Sequence, residues 1–159
     1  MLLSFFVFTS VQAEPLTFGD TAPDWTLPGV EDIPLGYYPD SKNKVSLILF
    51  WATWCPYCAR LVPHLQKVYQ QFEDKGLRLY AIDVFEDGEI DPKKYFDQKA
   101  YTYTLLLFGD SVAELYGVKG TPGLFLVDKN KKIIYSRKSG DSDEQVEQTL
   151  MQLIGEEIQ

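Results

Sequence analysis

The stretch Val45–Cys58, VSLILFWATWCPYC, decides how the rest of the chain reads. Val45–Phe50 is a nearly unbroken apolar run of the length of a strand buried on both faces. From Pro56 the pattern changes. Leu61, Leu65, Val68 and Phe72 recur at helical spacing, and Gly76 follows the last of them as a stop signal. The two cysteines of the chain, Cys55 and Cys58, stand where this strand hands over to this helix.

Three readings of a Cys-x-x-Cys pair compete. A structural disulfide across so short a loop removes little entropy from the unfolded chain. The sequence has 159 residues with ten Phe, ten Tyr and three Trp, enough for a full core without such a staple. A metal clip fails on ligand count, because zinc takes four ligands and the single histidine, His64, cannot complete a site with two thiols. His64 reads instead as a helix-surface or packing residue, and a copper chaperone is disfavoured on the same ground. A redox pair fits best. A helix N-terminus favours negative charge and so favours a thiolate there. Cys55 lies just before Pro56 at that terminus, and Cys58 is three residues on, on the same helix face. Cys55 is then expected to be the exposed nucleophile and Cys58 the more buried resolving thiol.

Alternation continues downstream. Leu77–Phe85 reads as a second parallel strand, and Asp91-Pro92 opens a helix running to about Ala100. Thr104–Phe108 reads as a short strand and Asp110–Tyr116 as a short helix closed by Gly117. Leu124–Val127 and Lys132–Arg137 read as antiparallel neighbours across a DKNK turn. Ser142 and Gln145 form a capping-box pair ahead of a last helix with Val146, Leu150 and Leu153 on its apolar face. The order β-α-β-α-β-α-β-β-α predicts an α/β fold with a mixed central sheet and helices on both faces. Residues 14–44 read as an irregular lead-in, with one short hairpin around Trp25 to Leu35.

Thr121-Pro122 stands just before a strand, where a proline is unwelcome in mid-sheet. A cis peptide bond and an ordinary trans turn are both open on spacing alone. A cis loop would leave the Thr121 backbone free for an extended segment to pair with it by strand addition. Trp51 reads as core, and Trp54, beside Cys55, as an exposed contact residue. Asp83 ends a strand, and its neighbours Glu86 and Asp87 read as loop charges.

The formal net charge of −8 disfavours nucleic acid and anionic membrane surfaces as partners. Residues 1–13, MLLSFFVFTSVQA, carry no charge, and Val11 and Ala13 suit cleavage after Ala13. We read this segment as a signal peptide. The missing basic n-region keeps an uncleaved anchor and a buried N-terminal strand open as alternatives. Export would place the thiols in an oxidising, periplasmic or otherwise extracytoplasmic compartment, with a membrane tether as a variant.

Phe50–Pro63, FWATWCPYCARLVP, followed by Gly117–Asp128, GVKGTPGLFLVD, resembles the thioredoxin superfamily. Gly19–Leu27, GDTAPDWTL, is similar to the lead-in of its exported TlpA/ResA-like branch of thiol-disulfide oxidoreductases. The resemblance spans Phe18 to Ile154. It implies a thioredoxin-like domain over 45–155 with 18–44 as its N-terminal extension. It implies Cys55 as nucleophile, Cys58 as its resolving partner and Pro122 as a cis-proline facing them. Substrate would be touched by Trp54, Pro56, Tyr57, Thr121 and Pro122, and Pro63 would bend the active-site helix. The partners implied are protein thiols and disulfides, with a membrane electron carrier as reducing partner and apocytochrome c as a substrate of such enzymes. No organic cofactor or metal is required, and a monomer is expected.

Two departures stand out. The buried Asp that thioredoxins carry six residues before the nucleophile is Leu49 here, and the Glu that some ResA-like reductases carry three residues after the second cysteine is Leu61. The base for Cys58 is then water, a substrate group or a residue such as Glu86 folding over the site. Pro56-Tyr57 is the dipeptide of glutaredoxins, whose potentials lie about 40–70 mV above thioredoxin, which hints at a less reducing pair. A redox-slow binding module is the first alternative reading. A peroxiredoxin-like peroxidase ranks lower, because Ala52 stands where that family needs a threonine.

Overall fold

The computed structural model describes residues 14–158. The expectations for residues 1–13 lie outside the described residues. Among those described, no helix is long and apolar enough to cross a membrane.

Five strands form one mixed sheet: β3 (Ser46–Trp51), β4 (Arg78–Asp83), β5 (Thr104–Leu106), β6 (Gly123–Val127) and β7 (Ile133–Ser136), in the spatial order β5-β4-β3-β6-β7. β3 pairs in parallel with β4 and antiparallel with β6, so it lies at the centre. Every one of its residues is buried, which is why its sequence shows no polar alternation. β4 and β5 continue the parallel half, and β6 and β7 close the antiparallel half.

The two faces of the sheet are covered differently. On one face Leu47, Leu49, Trp51, Leu79 and Ala81 pack against Leu61, Leu65 and Val68 of α2 (Pro56–Phe72) and Val146, Leu150 and Ile154 of α5 (Asp143–Glu157). Phe96 of α3 (Pro92–Lys99) joins the same cluster. On the other face Ile48, Phe50, Tyr80 and Ile82 meet Val112 and Ala113 of α4 (Asp110–Leu115). The rest of that face is covered by Ala22, Trp25, Leu27 and Tyr37 from the lead-in. A mixed sheet with helices on both faces is thus what the strand and helix pattern predicted.

The expected hairpin is present as β1 (Thr26–Pro28) and β2 (Pro34–Gly36), joined in antiparallel register. The lead-in also holds α1 (Tyr37–Asp40), a single helical turn with no sequence signal of its own. It exists because Tyr37 stacks on Trp25 with ring centroids 5.0 Å apart and meets Tyr80 edge-on at 5.7 Å. A turn this short does not hold by itself in water, so tertiary packing supplies its stability.

Helix ends follow local chemistry. The Asp91 side chain accepts the Lys94 N–H at the start of α3. Ser142 and Gln145 make the reciprocal capping box of α5. After α2 and a short 3-10 turn, Gly76 takes φ +98°, a conformation only glycine adopts freely. The start of α2 is capped by Cys55 itself, so the junction between β3 and α2 carries the cysteines.

Candidate active site

Residues Ala52–Cys55 connect the buried end of β3 to α2. Cys55 is the N-cap of α2, and its sulfur accepts the backbone N–H of Cys58 at 3.1 Å. Pro56 follows as the first helical residue, where its missing N–H costs nothing. The first turn of α2 holds no acidic side chain to oppose negative charge at Cys55. Cys55 and Cys58 are joined by a disulfide, with Cα atoms 5.3 Å apart.

Cys55 is not exposed as the sequence pattern suggested. It is 3% accessible, against 1% for Cys58. Its sulfur is bonded to Cys58 and turned into the first turn of the helix, in the same apolar cluster as Leu61 and Val62. What reaches solvent are its neighbours, Trp54 at 48% and Tyr57 at 58%. Trp51, by contrast, is core, packed on Tyr95 and Phe96 of α3.

The Thr121–Pro122 peptide is cis, and β6 begins at the next residue, Gly123. Thr121 and Pro122 line a groove of about 840 Å³ together with Tyr57, Arg60, Arg137 and the 138–144 loop. The tertiary fold therefore brings Thr121 and Pro122, far from Cys55 in sequence, to the same groove as Tyr57. The Arg60 guanidinium stacks 4.7 Å from the Tyr57 ring centre and lies 3.7 Å from Asp143, which ties one wall of the groove to the other. His64 belongs to the scaffold. Its Nδ1 meets a carboxylate oxygen of Glu147 on α5, in keeping with the packing role expected for it. Among the described residues no group of three or more His, Cys, Asp or Glu is arranged to hold a metal ion.

The acids at and just after the end of β4 confirm one expectation and overturn another. Asp83 ends the strand as expected, but Glu86 is not a loop charge free in solvent. Asp83 is 6% exposed and stands opposite Trp51 in the parallel register. Glu86 reaches back to the segment before the cysteines, where one oxygen accepts the Thr53 N–H at 2.5 Å and the other accepts the Thr53 hydroxyl at 2.6 Å. Trp54 is held by the same loop, its indole N–H donating to the Phe85 carbonyl at 2.8 Å. Burial, followed by the hydrogen bond and charge of Glu86 and the charge of Asp110, pushes the Asp83 carboxyl up to about 8. The only sequence hint was an Asp ending a strand that should be buried. Nothing in the spacing showed that its loop would fold onto residues 53–54.

The fold, with its CxxC pair between β3 and α2 and its cis-proline just before β6, has counterparts among known proteins. Residues 18–136 match the model of the AhpC/TSA family.

The chain belongs to the AhpC/TSA family.

A relative within reach of direct alignment is the thiol-disulfide oxidoreductase ResA of Bacillus thuringiensis subsp. konkukian, 28% identical over 141 residues, covering 88% of this chain and 80% of the relative. Among solved structures, a Chlorobium tepidum protein assigned as the thiol:disulfide interchange protein DsbE superposes with a TM-score of 0.77 at 27% identity, covering 91% of this chain and 99% of the other. A thiol:disulfide interchange protein from Bacteroides sp. gives 0.74 at 26% identity, with 88% and 91% covered. These likenesses agree with the thioredoxin-like fold expected from the motifs. The chain is a thiol-disulfide oxidoreductase of the ResA and DsbE kind, with Cys55 and Cys58 as its redox pair.

Proposed function

We propose that this oxidoreductase is an extracytoplasmic reductase of protein disulfides, with Cys55 as nucleophile and Cys58 as resolving thiol. The observation that carries the assignment of roles is the placement of Cys55 at the N-cap of α2, with the Cys58 N–H aimed at its sulfur. In the reduced protein that N–H and the helix dipole favour a thiolate on Cys55.

The reaction balances in two exchanges. The Cys55 thiolate attacks one sulfur of a substrate disulfide, forming a mixed disulfide and releasing the other substrate sulfur as a thiolate that takes up a proton. Cys58, losing its proton, then attacks the Cys55 sulfur. The Cys55–Cys58 disulfide forms and the second substrate sulfur leaves as a thiol. A dithiol donor must restore the pair, and a membrane electron carrier fits that role in an oxidising compartment.

Trp54, Pro56, Tyr57, Thr121 and Pro122 are proposed as the substrate-contacting surface. The exposure of Trp54 and Tyr57 and the groove beside Thr121–Pro122 support this. An extended substrate segment lying along Thr121, just outside the β6 ladder, satisfies backbone groups there by strand addition. We further propose that residues 1–13 are an export signal, 14–44 a lead-in of which 18–44 is the N-terminal extension of the domain, and 45–155 the thioredoxin-like domain, acting as a monomer. Apocytochrome c is the proposed substrate.

The test is the reduction potential of the Cys55–Cys58 pair, measured in glutathione buffers on protein lacking residues 1–13. A value near that of thioredoxin, roughly −270 mV, supports a reductase. A value near −120 mV, as in strong oxidants, would mean the pair gives its disulfide away, and the cytochrome role would fall.

A further inference from the structure

Asp83 and Glu86 take no part in the exchange just described, yet they lie against the segment that carries it. β4 alternates its side chains, and Leu79 and Ala81 face the core under α2. The period of two places Asp83 on that same face, at the end of the strand. One of its carboxyl oxygens is buried with no hydrogen-bond partner. Glu86, three residues on, stands close enough to favour the protonated form of Asp83, through side-chain contact and through its charge. Two ionised carboxylates offer only acceptors, so that contact requires one proton between them.

The surroundings supply no cation. From α4, Asp110 adds a third acid, and its oxygen accepts the Phe85 N–H at 3.0 Å. The neighbours from the end of β3 and the segment after it are Trp51 and Thr53, neither titratable, and from α3 Tyr95 packs on Trp51. None of the ion pairs among the described residues includes Asp83, Glu86 or Asp110.

We infer that Asp83 and Glu86 form a proton-bridged positioning pair for the cysteines, clamping Thr53 and thereby Trp54 and Cys55 to the end of β4. The inference rests on the thiol-exchange reading of Cys55 and Cys58. With the proton in place, Glu86 is held where both its oxygens meet Thr53. When the proton leaves, the buried Asp83 carboxylate and the half-buried Glu86 carboxylate repel beside Asp110. Glu86 then turns to solvent and Thr53 loses both bonds. The segment before Cys55 loosens, leaving the Trp54–Phe85 bond as its remaining tie to the loop after β4. The disulfide-to-dithiol equilibrium therefore carries a pH dependence that the two thiols alone do not produce.

The experiment equilibrates the full chain with reduced and oxidised glutathione at a series of pH values from about 6 to about 9.5. The reaction is protein disulfide plus two glutathione thiols giving protein dithiol plus glutathione disulfide. Wild type is compared with Asp83→Asn, whose amide donates to Glu86 as the protonated acid does but cannot titrate. The expected result is a deviation near pH 8 in the wild-type profile that Asp83→Asn removes. Glu86→Ala is expected to shift the equilibrium constant at neutral pH by about tenfold or more, the scale of a lost charge-assisted hydrogen bond. Glu86→Gln, which keeps an acceptor for the Thr53 N–H, is expected to restore most of that shift and also serves if the alanine variant does not fold. Superimposable profiles for wild type and Asp83→Asn overturn the inference. So does a Glu86→Ala constant within about twofold of wild type. A wild-type protein that does not exchange with glutathione at any pH would instead sink the thiol-exchange reading itself.

Discussion

The backbone N–H of Cys58 points at the sulfur of Cys55 from 3.1 Å, inside the first turn of α2. The two cysteines therefore differ in environment even while bonded to each other. Cys55 is the half-in residue at the helix start, and Cys58 belongs to the helix and its apolar face. Opening the bond leaves Cys55 with donors and a favourable dipole, and Cys58 among core side chains.

That asymmetry predicts different single mutants. Cys58→Ser should accumulate a covalent mixed disulfide with substrate, visible as a thiol-sensitive mass increase. Cys55→Ser should form no such adduct and should lose protein-disulfide reduction entirely. Equal trapping by both variants would reverse or erase the assignment of nucleophile and resolving thiol. If partners bound equally well with both cysteines replaced, the chain would be a binding module that uses the same surface.

Trp54 is half-exposed, yet its indole N–H is fixed to the Phe85 carbonyl at 2.8 Å. A large, already ordered aromatic surface costs little entropy to bury against a partner. Trp54→Ala should lower kcat/KM for a protein disulfide by about tenfold, as for an interface anchor. The loss should be smaller with glutathione, which is too small to use the whole surface. Equal losses with both substrates would assign Trp54 to the chemistry of the cysteines.

The raised pKa of Asp83 makes folding take up a proton. In the unfolded chain this acid ionises near its ordinary value, whereas in the folded protein it holds its proton up to about 8. Its contribution to stability is unaffected below about pH 4 and becomes progressively unfavourable as pH rises from there to about 8. Asp83→Asn removes this penalty while keeping a donor for Glu86. The variant should be more stable than wild type at pH 8 by about 1–3 kcal/mol, and the gain should vanish near pH 4. Denaturant unfolding at the two pH values checks this. A variant less stable at both would mean that Asp83 is ionised and paired in the native protein.

Gly109 sits where β5 turns into α4, its N–H donating to the Asp83 carbonyl at 2.9 Å. A methyl group there would collide with the Ile82 side chain and come within 3.1 Å of the Asp83 carbonyl oxygen. Gly109→Ala should therefore destabilise the protein by about 1–3 kcal/mol through overpacking. Because the strain falls on the end of β4, exchange activity should decline along with the thermal midpoint. An unchanged midpoint would show that β4 can shift to make room.

Much of the architecture was legible from local pattern. The nearly unbroken apolar run Val45–Phe50, the helical spacing from Leu61 to Phe72 and the capping residues Asp91 and Ser142 each act within a few residues. Periodicity and capping chemistry therefore carry them into the sequence. The same is true of the redox pair, because a CxxC at a helix start is a local arrangement. Thr121–Pro122 was legible as a feature. Its cis geometry was not fixed by spacing, which allows both isomers, but was implied by the family resemblance and is present.

Tertiary structure alone decided the rest. Residues 22–37 read as an irregular lead-in, and only their packing on Tyr80 and Ile82 makes them the cover of one sheet face. Cys55 looked exposed by its place in the chain, but bonding to Cys58 and the apolar cluster under α2 bury it. Asp83 read only as the end of a strand, and Glu86 as a loop charge. The parallel register of β3 and β4 sets Asp83 beside Trp51 and lets Glu86 reach Thr53, thirty-three residues earlier in the chain. A sequence determines such contacts only through the whole fold, because the groups that meet share no local period, and the burial that shifts the Asp83 carboxyl exists only once the sheet has formed.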